Sequence, residues 1–121
     1  MKEDNLTKVL PYGPIEVHDN FTINHIKIEV KYWDNRIKVD ITPIMIDERY
    51  GSYSVHYDGK REHQGFFVTV LSCSRKSPKK MDTIARAIWP YTDRIVELFG
   101  QGKFAEIANM ITELVKDLNL K

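Results

Sequence analysis

Cationic side chains are concentrated in one short stretch of the chain, at Arg75, Lys76, Lys79 and Lys80. They flank Ser77-Pro78, a pair typical of a helix start, with serine as the N-terminal cap and proline in the first turn. Backbone N–H groups at such an end attract anions, so the pattern favours a site for phosphate. The competing interpretation is a solvated, screened loop, in which each exposed cation near the positive helix end costs about 0.3–1 kcal/mol.

A polar segment at residues 58–65 holds three further candidates for the same basic surface: Lys60, Arg61 and His63. Phe66 and Phe67 are adjacent, so alternation along a strand sends Phe66 to the core and Phe67 to the opposite face. Trp33 is predicted to point outward as well. Exposed aromatic side chains beside cations are typical of proteins that stack nucleic-acid bases. The alternative is that the N-terminal segment or a second copy of the chain covers this face.

Catalytic and metal-binding constellations are missing from the sequence. Cys73 is the only thiol, and the strand register argued below places His56 about 20 Å from it at about 3.3 Å per residue, too far for a Cys–His dyad. Four histidines and one cysteine show no metal-ligand spacing, and phosphate-loop, GxSxG and HExxH motifs are lacking. We therefore expect a protein that is not an enzyme and uses no cofactor, with Cys73 as a small apolar residue at a strand end.

Composition places the chain among globular proteins. It has 121 residues, 42% of them apolar, with 18 Lys and Arg against 17 Asp and Glu, which predicts a single domain over residues 1–121. A lone cysteine cannot form an internal disulfide, so a reducing, cytoplasmic setting is expected. The polar start is unlike a signal peptide, and the longest apolar runs are triplets, too short to span a membrane.

Two periodicities divide the chain. Apolar residues alternate with period two up to about Leu71 and recur near period 3.6 from Ser77, which predicts an α+β fold. The expected architecture is an antiparallel meander of four to five strands within residues 14–72, followed by two helices within residues 77–120 packed on one face. Residues 1–12 are expected to form a loose arm.

The clearest hairpin pairs residues 26–32 with residues 37–41. A two-residue turn at Asp34-Asn35 sets Tyr32 opposite Ile37, and every apolar residue of both strands then shares one face. The opposite face carries charged residues of both signs and Trp33. Beyond Pro43 the apolar parity switches, which predicts a bulge or a sheet edge at this proline.

A second hairpin is expected between residues 53–57 and 66–70. Pairing Tyr53 with Val70, Val55 with Val68 and Tyr57 with Phe66 gives a consistent apolar face and leaves residues 58–65 as a long loop. A short strand at residues 15–23 is the expected fifth member of the sheet.

Helical periodicity marks the C-terminal third. Met81, Ile84, Ala85 and Ile88 form one stripe, Pro90 kinks or breaks the helix, and Gly100 and Gly102 end it. The last helix has an apolar arc, expected to pack in the core with Ile111 and Leu114 buried: Phe104, Ile107, Ala108, Ile111, Leu114, Val115 and Leu118.

These features predict a small intracellular binding domain whose ligand is a phosphate-bearing polyanion, a nucleic acid or a nucleotide. The alternative is a protein-interaction module, such as a homodimeric inhibitor or adaptor. Short chains without motifs are common among phage and mobile-element genes, so a phage origin is one interpretation. A membrane partner is not expected, because the polar side of the last helix is poor in Lys and Arg.

Overall fold

The computed structural model describes residues 5–18, 21–47, 51–54 and 65–120 of the chain. Over these residues it confirms the predicted α+β fold, an antiparallel sheet followed by C-terminal helices. The elements are β1 Thr7–His18, β2 Phe21–Trp33, β3 Arg36–Asp47, β4 Gly51–Ser54, β5 Phe66–Ser72, α1 Pro78–Ile88, α2 Thr92–Gly100 and α3 Phe104–Lys116.

The hairpin of β2 and β3 has the predicted register. Tyr32 lies opposite Ile37, and the pairing continues without a shift to His25 opposite Ile44. Asp34 and Asn35 both have positive φ, 54° and 59°, the left-handed conformation that a two-residue type I′ turn requires. Short polar side chains tolerate this conformation, so the turn fixes the register of the longest strand pair in the sheet.

The expected loose arm is wrong for residues 7–12, because β1 begins at Thr7 and pairs with β2. Leu6, Leu10 and Tyr12 pack against the core. Lys8 lies between them in sequence on the same face of β1, and its Nζ is 5.9 Å from the centroid of the Trp89 ring. The Trp89 indole also donates a hydrogen bond of 3.2 Å to the carbonyl oxygen of Asn5. Apolar burial and these two contacts therefore hold the start of β1 against the helical layer.

A bulge divides β1 between Pro11 and Ile15, opposite the uninterrupted β2. Gly13 lies within it at φ +83°, and a Cβ there would stand 2.8 Å from the carbonyl oxygen of Ile23. Only glycine fits both the backbone angle and the close approach.

The expected pairing of Tyr53 with Val70 is wrong, because β4 and β5 each pair with β3. Tyr53 lies opposite Met45, whereas Val70 lies at a register irregularity near the other end of β3. The 12 residues of β3 offer enough edge for both partners, so neither strand needs the other. The predicted partners Val55 and Tyr57, and residues 58–64 of the predicted loop, lie outside the described residues.

Pro43 marks the change of partner along β3. The β2 register runs through it without a bulge, with Pro43 opposite Ile26. On the other side of β3, pairing with β5 ends at Ile41 and pairing with β4 begins at Ile44. A bulge or a sheet edge is expected at this proline from the sequence, and the described strands show a local edge. Because Pro43 has no N–H, its position at this edge costs the sheet no hydrogen bond.

The predicted helix signals are confirmed. The Ser77 hydroxyl accepts a hydrogen bond of 3.3 Å from the Lys80 amide, and Pro78 occupies the first turn. Around Pro90 the chain forms a short 3₁₀ segment, Trp89–Tyr91, before α2 begins. Gly102, at φ +72°, then separates α2 from α3.

The helices cover one face of the sheet, called here the inner face. The expected burial of Leu114 is wrong, because its side chain is only half-buried, whereas Ile111 is fully buried as expected. Phe66 points inward as predicted and lies 5.3 Å from Phe104 between ring centroids. The buried core contains Ile26, Ile28, Val30, Ile37, Val39, Ile41, Val68, Met81, Ile84, Ala85, Ile88, Ile95, Leu98, Phe99, Ile107, Ile111 and Val115.

Candidate functional site

The sheet face opposite the helices, called here the outer face, carries the candidate site. Because neighbours on a strand alternate between faces, residues 27, 29, 31 and 33 of β2 share it with residues 36, 38 and 40 of β3 and 67 of β5. The register forms cross-strand rows: Trp33 opposite Arg36, Lys31 opposite Lys38, and Glu29 opposite Asp40. Phe67 extends the last row because it lies opposite Asp40 from β5.

The two aromatic side chains predicted to point outward are exposed. Trp33 is 71% exposed and Phe67 is 59% exposed. They are four residues apart along β3 and two strands apart, so their Cα atoms are separated by about 16 Å at about 3.3 Å per residue and about 4.8 Å per strand. Lys38 lies between their rows, with its Nζ 4.5 Å from the centroid of the Phe67 ring, a cation–π contact.

The carboxylates of the outer face are already paired. The Nζ of Lys31 lies 3.2 Å from an oxygen of Asp40 and 3.6 Å from Glu29. Lys27 also contacts Glu29 at 3.6 Å, and the Thr42 hydroxyl donates a hydrogen bond of 2.7 Å to Asp40. The hydrogen bond to Asp40 is the main cause of a raised pKa of Lys31, so this lysine stays charged well into alkaline pH.

Lys38 is in a different position from Lys31. Among the described residues no carboxylate lies within ion-pair distance of its Nζ, and its recorded partner is the Phe67 ring. Within the described part of the chain, the charge of Lys38 is therefore not paired with a carboxylate.

A groove of about 530 Å³ joins the outer face to the start of the helical layer. It lies beside the part of β2 where the described pairing with β1 begins, at Thr7 opposite Glu29. There the Val30 amide donates a hydrogen bond of 2.8 Å to the Leu6 carbonyl. Lys76, just before α1, reaches the groove from the inner side. The lining comprises Leu6, Glu29, Val30, Lys31, Tyr32, Trp33, Lys38, Asp40, Phe67, Lys76 and Met81.

The other cations of the predicted basic cluster lie beside the groove. Arg75 and Lys79 are exposed and Lys80 is half-exposed, and none of them lines it. The first turn of α1 contains no acidic residue, so nothing within the turn offsets these charges. The structure thus brings Lys76 together with Trp33 and Phe67, and leaves Arg75, Lys79 and Lys80 at the rim.

Three predicted site residues, Lys60, Arg61 and His63, lie outside the described residues, as does His56. Cys73 follows β5 directly and packs partly against the core. Its backbone is engaged on both sides, with its amide donating to Asn35 at 2.9 Å and its carbonyl accepting from the Tyr32 hydroxyl at 2.9 Å.

Sequence reasoning missed Lys31 and Lys38 as site residues. The signal was available, because the hairpin register already placed both on the same face as Trp33. It was not used because a face of mixed charge is usually a solvated surface.

The described part of the chain contains no group of three His, Cys, Asp or Glu side chains that would hold a metal ion. Within the same residues, no helix combines the length and the apolar character needed to cross a membrane. Comparisons with protein-family models, with curated proteins and with solved structures gave no match.

Proposed function

We propose that the chain is a non-enzymatic binding domain for a phosphate-bearing polyanion, a nucleic acid or a nucleotide, and that the groove is its site. One observation carries this proposal: two exposed aromatic rings and three lysines are among the residues that line one groove. They are Trp33, Phe67, Lys31, Lys38 and Lys76. Lysines attract phosphate and aromatic rings stack on bases, so the combination fits a nucleotide better than it fits a simple anion or an apolar ligand.

Charge around the groove supports the same ligand. Glu29 and Asp40 are held by Lys27 and Lys31, whereas Lys38 has no carboxylate partner in the described residues. Lys76 in the groove and the rim cations Arg75, Lys79 and Lys80 likewise have no ion pair within the described chain. A surface with this excess of positive charge raises the local concentration of a polyanion and speeds its association.

A cytoplasmic location is part of the proposal. Cys73 is a free thiol and the only cysteine of the chain, which suits a reducing compartment, where nucleic acids and nucleotides are also found.

Charge reversal at Lys76 tests the proposal. Lys76→Glu should weaken binding of a labelled oligonucleotide, followed by fluorescence anisotropy, and lower the salt dependence of binding by about one phosphate contact. Lys79→Glu should have a smaller effect because Lys79 lies at the rim. Lys103→Glu makes the same charge change at an exposed position outside the groove and should leave affinity nearly unchanged.

All three variants should keep the thermal stability of the parent protein, because exposed charges contribute little to folding. Failure of the parent protein to bind DNA, RNA or nucleotides at low ionic strength would contradict the proposal.

A protein partner is the second candidate, favoured by the exposure of Val9, Trp33 and Phe67 on the outer face. Exposed aromatic residues are enriched at protein interfaces, and a homodimer formed through this face would bury them. Sedimentation equilibrium decides between the candidates. A dimer that dissociates when Trp33 is replaced by alanine would favour the protein-interaction module.

A further inference from the structure

The separation of Trp33 and Phe67 along the outer face restricts which polyanion can use both aromatic residues. Bases in a duplex are stacked about 3.4 Å apart and their faces are hidden. Trp33 and Phe67 are separated by about 16 Å between Cα atoms, estimated from strand geometry. A duplex therefore cannot offer base faces to both rings, whereas an unpaired strand with splayed bases can.

The side chains between the rings suit the backbone of such a strand. Lys31 and Lys38 lie directly opposite each other on β2 and β3, where like charges repel. Lys31 is held by Asp40, and Lys38 lies against the Phe67 ring. Between the two rings, the positive charge that can still bind a phosphate is therefore that of Lys38, which lies on β3 between β2 and β5.

We infer that the outer face binds single-stranded nucleic acid, with one base stacked on Trp33, another on Phe67, and an intervening phosphate at Lys38. This inference rests on the proposed function and restricts it, since it excludes a duplex as the preferred ligand. Glu29 and Asp40, which also line the groove, can accept hydrogen bonds from exocyclic amino groups of the bases.

Tryptophan fluorescence gives a direct test, because the chain has only two tryptophans. In Trp89→Phe, with its fold checked by circular dichroism, Trp33 is the only indole. Titration at low salt would use oligo(dT), oligo(U) and a duplex DNA of equal phosphate number. Both single strands should quench Trp33 emission, and the tighter of the two should bind at least about tenfold more tightly than the duplex. The oligo(dT) and oligo(U) arms also show whether the 2′-hydroxyl matters.

Ring removal gives the second measurement. Trp33→Ala and Phe67→Ala, made in the parent chain, should each weaken single-strand binding roughly 5- to 150-fold, as measured for the loss of one stacked base. Tyr91→Ala is the matched control, since Tyr91 is a 44% exposed aromatic residue outside the groove. Its removal should leave affinity unchanged.

The possible results distinguish the single-strand inference from the proposed function. One such result is that duplex and single strand bind equally well and leave Trp33 emission unchanged, while Lys76→Glu still lowers the affinity for the oligonucleotide. This result would overturn the single-strand inference but not the proposed function. Absence of binding to all three ligands would overturn the single-strand inference, and absence of nucleotide binding as well would overturn both. A concentration-dependent blue shift of Trp33 without nucleic acid would also overturn both, in favour of an interface between two copies of the chain.

Discussion

Ile111 and Leu114 are three residues apart on α3 and differ sharply in surroundings. Ile111 is fully buried under the sheet, while Leu114 lies half-exposed at the side of the same helix. Three residues rotate a helix by about 60° short of a full turn, which is enough to move a side chain from the centre of an apolar stripe to its border.

Truncation of these two residues should therefore have unequal effects on stability. Ile111→Ala should lower the free energy of unfolding by about 2–5 kcal/mol because it leaves a cavity in the core. Leu114→Ala should cost clearly less, since part of its side chain is already in water. Urea unfolding of both variants measures the difference. Equal losses would show that Leu114 is buried in solution, for example against another copy of the chain.

The start of α1 is where the helical layer meets the groove. Ser77 caps this helix, and Lys76 directly before it lines the groove. The cap thus fixes both the beginning of α1 and the position from which Lys76 reaches the groove.

Removing the Ser77 cap should lower the stability of the fold more than it lowers the affinity for a polyanion. Ser77→Ala should lower the free energy of unfolding by about 1 kcal/mol, since the Lys80 amide loses its side-chain acceptor. Ser77→Asp preserves an acceptor and should retain stability, while its negative charge beside Lys76 should weaken polyanion binding. Thermal unfolding and oligonucleotide titration of the same two variants check this. Wild-type stability of Ser77→Ala would contradict the assigned cap.

Elements specified by short-range signals were predictable from sequence. The β2–β3 hairpin follows from one turn and one alternation, and α1 follows from Ser77-Pro78. The partner of β4 was not predictable, because Tyr53 can satisfy its alternation opposite Val70 as well as opposite Met45. That choice depends on the free edge of β3, which becomes defined only when the sheet is assembled.

The candidate site divides in the same way. Trp33 and Phe67 were found by alternation within strands, which the sequence displays. The approach of Lys76 to these rings depends on how the helical layer is placed on the sheet, and no local pattern in the sequence reports this placement.

At the scale of the whole molecule, Tyr12 links β1 to the helical layer through an edge-on contact of 5.5 Å with the Phe99 ring. Burial raises the pKa of the Tyr12 phenol, because the folded protein disfavours its charged form. In the unfolded chain the phenol loses its proton first, near pH 10. Folding is therefore progressively disfavoured as pH rises above the unfolded pKa, until the folded pKa is passed.

Alkaline stability should accordingly depend on this residue. The midpoint temperature of thermal unfolding of the parent protein should decrease as the pH is raised from about 8 to about 11. Tyr12→Phe should make this decrease smaller, because it removes the ionising group. Tyr91→Phe, at an exposed tyrosine, serves as the control and should keep the parent profile. A Tyr12→Phe profile that matches the parent would mean that Tyr12 contributes nothing to the pH dependence.

The helices that cover the inner face all follow the sheet in the chain, and this order matters during synthesis on the ribosome. The apolar side chains of β2, β3 and β5 emerge before Met81, Ile107 or Ile111 exist to cover them. At about 5–20 residues per second, making the helical third takes about 2–10 s. For that time the isoleucine-rich surface of the sheet has no helix to cover it, so we expect chaperone capture or cotranslational aggregation to act at this stage.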